Sequence, residues 1–212
     1  MQVTDKRYYS PQEYLAIEEA ADCRSEYIDG ETVPITGSST NHNQIAGNFY
    51  AKLSFVFKKL DYRVFMSDVR LWVPQQRIYT YPDVTIVEGE PQYYNNRTDT
   101  ITNPIVIIEV LSPSIKEYDR SKKFEAYRTI PTFQEYLLID QTRIYIEHFS
   151  KTDNKRWSFA DYDKSDRAIC PEGRSEAIAL ASVPFEISLL DIYNKVNFQQ
   201  VDVETAPEVE KI

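Results

Sequence analysis

Glycine and cysteine are both scarce in this chain, and it lacks any long apolar run. Only five of its 212 residues are glycine, while 42% are apolar. This composition predicts one sizeable core and therefore a single domain. No apolar stretch reaches the roughly 18 residues that cross a bilayer, and no secretory leader pattern opens the sequence, so no membrane span is expected.

The two cysteines, Cys23 and Cys170, are far apart in the sequence. They lack the CxxC spacing of metal and redox sites, which favours two reduced thiols. We therefore expect a cytoplasmic protein.

Positive charge is also in short supply, because 24 lysines and arginines stand against 33 aspartates and glutamates, for a net charge of −9. An acidic surface repels phosphate and cannot supply the counterion release that usually drives nucleic-acid binding. The composition therefore argues against a nucleic-acid partner. Part of the excess belongs to an expected acidic C-terminal tail, residues 199–212, which carries four acidic residues. The expected domain, residues 1–198, is less acidic than the whole chain.

Sequence signals for helix starts and for turns predict the elements in the first half of the chain. The segment Ser10-Pro11-Gln12-Glu13 combines an N-cap serine, a proline at the first helical position and a capping-box glutamate, which predicts a helix to about Ala21. A hairpin is expected over residues 26–33, because Asp29-Gly30 suits the two positive-φ positions of a type I′ turn. An amphipathic helix packed on a sheet is indicated by apolar residues three and four apart, namely Ile45, Phe49, Leu53, Val56 and Leu60.

The second half is expected to consist of strands interrupted by one helix. That helix opens with a capping box at Ser114 and must end near Thr129, because Pro131 disfavours helical geometry at the residue before it. The expected strands are residues 63–68, 71–73, 83–87, 105–109, 135–139 and 143–147, the last two forming a hairpin, with edge strands over 151–185. This order predicts an α/β or α+β fold, a mixed β-sheet flanked by helices.

Glu109 is the first candidate for chemistry, because it closes a continuous apolar run at the point where a buried strand is expected to reach solvent. A glutamate there needs a compensating charge or metal. Asp83 heads another β-branched run, and the helix after Glu109 carries Lys122 and Lys123. Two strand-borne carboxylates beside a lysine suit a divalent metal and a phosphodiester. Taken alone, Asp83 could simply satisfy backbone N–H groups, and Lys123 could be a solvated charge.

Several segments together resemble a known family. They are Pro82-Asp83 and residues 103–114, 119–128 and 134–140, with residues 13–15 and 26–30 nearer the N-terminus. This set resembles the restriction-endonuclease-like family, an uncharacterised family abundant in photosynthetic bacteria and placed in the PD-(D/E)XK nuclease superfamily. The resemblance covers about residues 10–195. It implies a restriction-endonuclease-like core and a nuclease activity.

One position departs from the superfamily pattern, because Leu111 stands where the general motif has a lysine. The resemblance implies that this role has moved to Lys123 on the following helix. Asp119, Lys123 and Tyr127 are each four residues apart and therefore share one helix face. Lys122 points about a quarter turn away, so Lys123 is preferred.

The resemblance also implies a mechanism, metal-assisted hydrolysis of DNA. Asp83, Glu109 and the backbone carbonyl of Val110 would hold Mg²⁺ or Mn²⁺. Lys123 would orient or deprotonate the attacking water and stabilise charge on phosphorus. Cutting both strands of a duplex with one such site per chain favours a homodimer.

Three further residues are candidates for the same site: Glu26, His42 and Asp119. Glu26 could be the extra carboxylate that many superfamily members contribute, or an exposed strand residue. His42 could contact water or phosphate, or could be a capping or packing residue. Two other functions stay open. One is a non-catalytic nuclease-fold module that binds protein or nucleotide, which the negative charge favours, and the other is hydrolysis of a small phosphate ester.

Overall fold

The computed structural model describes residues 7–35, 37–112, 118–163 and 177–199. Within these ranges the helices are α1 (Pro11–Ala20), α2 (Thr40–Phe57), α3 (Phe124–Tyr127) and α4 (Leu189–Ile192). A π-helical turn, Asp119–Lys123, leads directly into α3, and 3₁₀ turns cover Pro74–Gln76 and Tyr94–Asn96. None of the described helices has the length and apolar character that crossing a membrane requires.

The described strands are short, and most belong to two sheets. They are β1 (Ser25–Ile28), β2 (Glu31–Pro34), β3 (Tyr62–Met66), β4 (Arg70–Val73), β5 (Ile78–Thr80), β6 (Val84–Glu88), β7 (Thr100–Ile101), β8 (Val106–Leu111), β9 (Glu135–Asp140), β10 (Tyr145–Lys151), β11 (Trp157–Asp163), β12 (Ala177–Leu180) and β13 (Phe185–Ser188).

The largest sheet has six strands in the order β11-β10-β9-β8-β6-β3. Its neighbours β8 and β9 run parallel, and its other pairs are antiparallel. A second sheet has the order β2-β1-β5-β4-β7, and β12 pairs with β13 as a hairpin. Helices and mixed sheets in this arrangement confirm the predicted fold class.

Strand β8 is buried on both faces, which explains its continuous apolar sequence. Its side chains alternate between two cores, as the two-residue period of a strand requires. Val106, Ile108 and Val110 pack in the core that contains α2. Ile107 and Leu111 pack in the core that contains Tyr127 of α3. Glu109 lies between Ile107 and Leu111 in sequence, so the same alternation directs it toward the α3 side.

The predicted N-terminal elements are confirmed. Helix α1 has the expected capping box, in which the Ser10 hydroxyl accepts from the Glu13 N–H at 3.2 Å and the Glu13 carboxylate accepts from the Ser10 N–H at 2.7 Å. The hairpin β1–β2 turns through Asp29 and Gly30, with φ values of 44° and 105°. Glycine tolerates the second value because it has no Cβ. This turn places Glu26 of β1 within a paired strand.

Two expectations about individual elements were wrong, and two strands were not predicted. Strand β8 does not reach solvent at Glu109 but continues to Leu111, because the cores on both faces extend beyond that position. Leu60 does not continue the α2 stripe, because the helix ends at Phe57, which is buried in its place. Strands β5 and β7 were not predicted, since three-residue and two-residue strands are too short to show a periodic pattern.

Some expectations lie outside the described residues. These are the capping box of residues 114–117, Cys170, part of the region expected to hold edge strands, and nearly all of the acidic tail. Cys23, which is described, is exposed and free of any disulfide.

Candidate active site

Asp83 and Glu109 come together because β6 and β8 are antiparallel neighbours. Val84 pairs with Ile108, so Asp83, immediately before β6, faces Glu109 one position further along. The Asp83 N–H lies 3.4 Å from Glu109 Oε2. Side chains of directly opposed residues share one face of a sheet, which brings these two carboxylates into one site. Both residues are buried, with Asp83 9% and Glu109 3% exposed.

Lys123 joins this pair from the π-helical turn before α3. Its Nζ donates to Glu109 Oε1 at 3.2 Å. The same nitrogen lies 3.1 Å from Glu26 Oε1 and 3.0 Å from Asp119 Oδ1. The Lys123 side chain is only 5% exposed. One ammonium group therefore connects carboxylates from β1, β8 and the π-helical turn.

Two further groups hold the Asp83 carboxylate. The Val110 N–H donates to Asp83 Oδ2 at 2.7 Å, and His42 Nε2 lies 3.1 Å from the same oxygen. His42 is the third residue of α2, and its N–H in turn bonds the Ser39 hydroxyl that caps the helix. Burial lowers the pKa of His42, but the hydrogen bond and negative charge of Asp83 outweigh burial, so the pKa lies above its ordinary value.

The cluster has more negative than positive charge. Burial raises the pKa of Glu109 to about 8, an effect that Lys123 opposes and that Asp119, Asp83 and Glu26 reinforce. Burial likewise raises the pKa of Asp119, again against Lys123. Burial lowers the pKa of Lys123, but the carboxylates, Glu109 first, raise it well above its ordinary value. Lys123 therefore stays an ammonium, and the excess charge is relieved by a proton on Glu109 or by an added cation.

Asp119 is the most unusual member of the cluster. It is fully buried, and within the described ranges neither oxygen of its carboxylate has a hydrogen-bond partner. Oδ1 lies 3.0 Å from Lys123 Nζ, a contact between opposite charges. A buried carboxylate without hydrogen bonds is costly, so this group marks a place where a further donor or cation would be stabilised.

The donor set suits a hard divalent cation such as Mg²⁺. Across the described ranges, no three or more His, Cys, Asp and Glu side chains form a ready-made metal shell. Mg²⁺ needs no such shell, because it usually binds through one or two carboxylates and retains several waters. Asp83 and Glu109 supply two carboxylates, and the surplus negative charge around Lys123 favours a cation.

Every candidate residue predicted from the sequence lies in this cluster. Asp83, Glu109, Lys123, Glu26, Asp119, His42 and Val110 are all linked by the contacts above. Val110 enters through its N–H, a contact that was not predicted. Lys122 is exposed, as its position a quarter turn from Lys123 predicts.

Sequence reasoning missed two hydroxyl groups that support the cluster. The Tyr127 hydroxyl donates to Glu109 Oε1 at 2.9 Å. The Thr80 hydroxyl donates to Glu26 Oε1. The spacing of Tyr127 from Lys123 was a usable signal, since it placed the ring on the lysine's helix face. Thr80 gave no signal, because β5 was not predicted.

The fold is that of a restriction-endonuclease-like protein. It is similar to the crystal structure of a putative nuclease of the DUF820 group from Anabaena variabilis, with a TM-score of 0.68. The alignment covers 87% of this chain and 97% of that chain, and 18% of the residues are identical. At this level of identity the likeness establishes the fold alone.

The chain belongs to the Uma2 family, described as putative restriction endonucleases, whose model matches residues 11–181. Two uncharacterised proteins of Synechocystis sp. are also similar. The protein sll1609 is 42% identical over 157 residues, which cover 74% of this chain and 89% of that protein. The protein slr1290 is 36% identical over 162 residues, which cover 74% and 82%. The family predicted from the sequence is thereby confirmed.

Proposed function

We propose that this protein is an endonuclease that hydrolyses phosphodiester bonds of DNA with the help of Mg²⁺ or Mn²⁺. The family match supports a nuclease in general terms. The observation that carries the specific proposal is the cross-strand pair Asp83 and Glu109 with Lys123 Nζ 3.2 Å from Glu109. This arrangement joins two carboxylates and one cationic group in a single buried cluster, as metal-assisted phosphodiester hydrolysis requires.

Asp83 and Glu109 would hold the cation. The fit rests on their carboxylate chemistry, on the surplus negative charge around Lys123, and on the buried Asp119 oxygens, which accept no hydrogen bond from the part of the chain that the structure describes. The backbone carbonyl of Val110 is the third proposed ligand. When bound, the divalent cation supplies Lewis-acid charge and makes water a better nucleophile near neutral pH.

The remaining residues orient these groups. His42 and the Val110 N–H both contact Asp83 Oδ2, so they fix one oxygen of that carboxylate. Glu26 and Asp119 also contact Lys123 Nζ, at 3.1 Å and 3.0 Å. In the reaction a water oxygen forms a bond to phosphorus, the bond to the leaving alkoxide breaks, and that alkoxide takes up a proton.

Lys123 acts in this proposal through its charge. Of the two roles that the sequence suggested, deprotonating the water does not suit Lys123, because the surrounding carboxylates hold its pKa well above the ordinary value. An ammonium group can orient the water and stabilise the negative charge that develops on the phosphoryl oxygens. Such preorganised charge in a water-excluded site typically contributes a few kcal/mol, about 3 kcal/mol per donor.

A homodimer is part of the proposal. The residues that the structure describes form one such cluster, and cleavage of both strands of a duplex needs two sites related by an approximate two-fold axis. The net charge of −9 makes close approach to DNA unfavourable unless cations are bound. We therefore expect DNA binding to need the divalent ion.

The test is an incubation of the full chain with plasmid, linear and branched DNA in the presence of Mg²⁺ or Mn²⁺. The expected result is cleavage that requires the ion, is stopped by a chelator and is lost in Asp83→Asn. The control is Asp61→Asn, which changes an aspartate that is 80% exposed.

Two other results would replace the proposal. If the protein hydrolyses a simple phosphodiester such as bis(p-nitrophenyl) phosphate but cleaves neither DNA nor RNA, its substrate is a small molecule. Saturable Mn²⁺ binding with no hydrolysis of any substrate would assign a non-catalytic nuclease-fold module. The net negative charge is the observation that favours this second function.

A further inference from the structure

Tyr127 bonds one particular oxygen of Glu109. Its hydroxyl donates to Oε1 at 2.9 Å, and Lys123 Nζ donates to the same oxygen at 3.2 Å. Among the described residues, the other oxygen, Oε2, has only the N–H of Asp83 at 3.4 Å, a long contact. The two oxygens of this buried carboxylate are therefore in unequal surroundings, one with two strong donors and one with a single weak donor.

This inequality determines which oxygen can take a ligand. Each carboxylate oxygen can accept about two hydrogen bonds, so the donors from Tyr127 and Lys123 saturate Oε1. Oε2 lies on the side of Asp83 and keeps capacity for another partner. The two oxygens are chemically equivalent, so what matters is the orientation of the carboxylate plane. The Tyr127 hydroxyl opposes rotation of that plane away from the orientation in which one oxygen faces Asp83.

We propose that Tyr127 is a positioning residue that holds the Glu109 carboxylate with Oε2 toward Asp83, so that the two carboxylates can bind one divalent cation. This inference rests on the proposed function, because it assigns a role toward the cation of that site. Tyr127 contacts neither cation nor substrate in this account. It acts only through Glu109.

The Tyr127 ring is well suited to such a role because it is immobilised. It is fully buried, and it meets the Phe133 ring edge-on at a centroid distance of 5.8 Å and the Tyr136 ring at 5.5 Å. Side chains packed in this way keep a single rotamer. The packing of the ring therefore fixes the position of the Tyr127 hydroxyl next to Glu109.

Tyr136 provides a matched control, because a buried tyrosine hydroxyl needs a partner whether or not it serves a site. Tyr136 is equally buried in the same aromatic cluster, and its hydroxyl donates to the backbone carbonyl of Asp119 at 3.2 Å. Tyr127→Phe and Tyr136→Phe each remove one buried hydroxyl and one hydrogen bond. Only Tyr127→Phe removes a bond to Glu109.

The experiment is a calorimetric titration of Mn²⁺ into the full-length wild type, Tyr127→Phe and Tyr136→Phe, with thermal unfolding of each in the absence of metal. We expect Tyr127→Phe to bind Mn²⁺ about 10-fold more weakly, the lower end of the loss seen when a partner of a metal ligand is removed. Tyr136→Phe should bind within about twofold of wild type, although both variants lose similar stability.

The outcomes separate this inference from the proposed function. Equal Mn²⁺ affinity in wild type and Tyr127→Phe would overturn the positioning role and leave the metal site intact. Equal weakening in both tyrosine variants would also overturn it, because the loss would then be structural. A wild type that binds no Mn²⁺ would overturn the proposed metal site and this inference together.

Discussion

Lys123 Nζ lies 3.2 Å from Glu109 Oε1, although 14 residues separate them in the chain. Leu111, the second residue after Glu109 on the same strand, is 2% exposed and packs in the core beneath α3. A lysine at position 111 would have to replace that packing. Instead, Lys123 in the π-helical turn after the strand places its ammonium group next to the same carboxylate.

Lys123 and Lys122 form a natural pair for testing this arrangement. We expect Lys123→Met to abolish cleavage and also to destabilise the metal-free protein by about 3 kcal/mol, because it leaves several buried carboxylates without their counter-ion. Lys122→Met should change neither property, since Lys122 is exposed. Single-turnover cleavage and urea unfolding of the two variants measure both effects. Full activity in Lys123→Met would remove this lysine from the mechanism.

Asp83→Asn tests the proposed cation site without introducing a cavity. Asparagine can still accept the Val110 N–H through its side-chain oxygen, but it lacks the charge that a cation requires. Mn²⁺ should raise the thermal midpoint of the wild type in a saturable way and leave that of Asp83→Asn almost unchanged. Asp61→Asn, at an exposed position, should respond like wild type. If Mn²⁺ stabilises Asp83→Asn as strongly as wild type, the ion binds elsewhere.

The pKa of Glu135 predicts how the free energy of unfolding depends on pH. Burial alone would raise its pKa, but contacts from His148, Ser182 and the Ala181 N–H lower it from 4.5 to about 2. Because the folded-state pKa is depressed, the stabilisation is present above about pH 4.5 and is lost as the pH falls toward 2. The loss should be on the order of 3 kcal/mol.

The measurement for Glu135 is urea unfolding of wild type and Glu135→Gln over that pH range. Glutamine keeps the size of the side chain and lacks the titrating group. The stability difference between the two proteins should narrow as the pH falls. A difference that stays constant from neutral to acidic pH would show that the carboxylate charge does not stabilise the hairpin β12–β13.

Alanine substitutions at Gly30 and Gly47 should change the free energy of unfolding in opposite directions. A Cβ at Gly30 would lie 2.8 Å from Tyr8 Cδ1, and the residue has φ of 105°, so Gly30→Ala should destabilise the protein by about 2 kcal/mol. Gly47 lies inside α2, and apart from its chain neighbours and the nearby helix backbone, no atom of the described residues lies within 4 Å of the position of a Cβ. Gly47→Ala should therefore stabilise by about 0.5–1 kcal/mol. Thermal unfolding measures both, and a stabilised Gly30→Ala would contradict the strain argument.

Local patterns were enough to predict most elements of the fold. The capping box at Ser10 and Glu13, the Asp29-Gly30 turn and the apolar spacing of α2 each involve interactions within a few residues, so they can be read along the chain. The shortest strands could not be predicted, because two or three residues are too few to show a periodic pattern. Strand β5 is three residues long, and one of its two partners, β1, is distant in sequence.

The sequence by itself indicated the residues of the candidate site. Glu109 interrupts an apolar strand, Asp83 follows a proline at a strand start, and Asp119, Lys123 and Tyr127 recur at helical spacing. Each of these signals depends on neighbours in the chain. Only the tertiary structure decided how the residues meet, because the register of β6 against β8 and the packing of α3 over the sheet join segments far apart in sequence. It therefore also decided that Glu109 offers its two oxygens unequally, since Tyr127, Lys123 and Asp83 approach it from different elements.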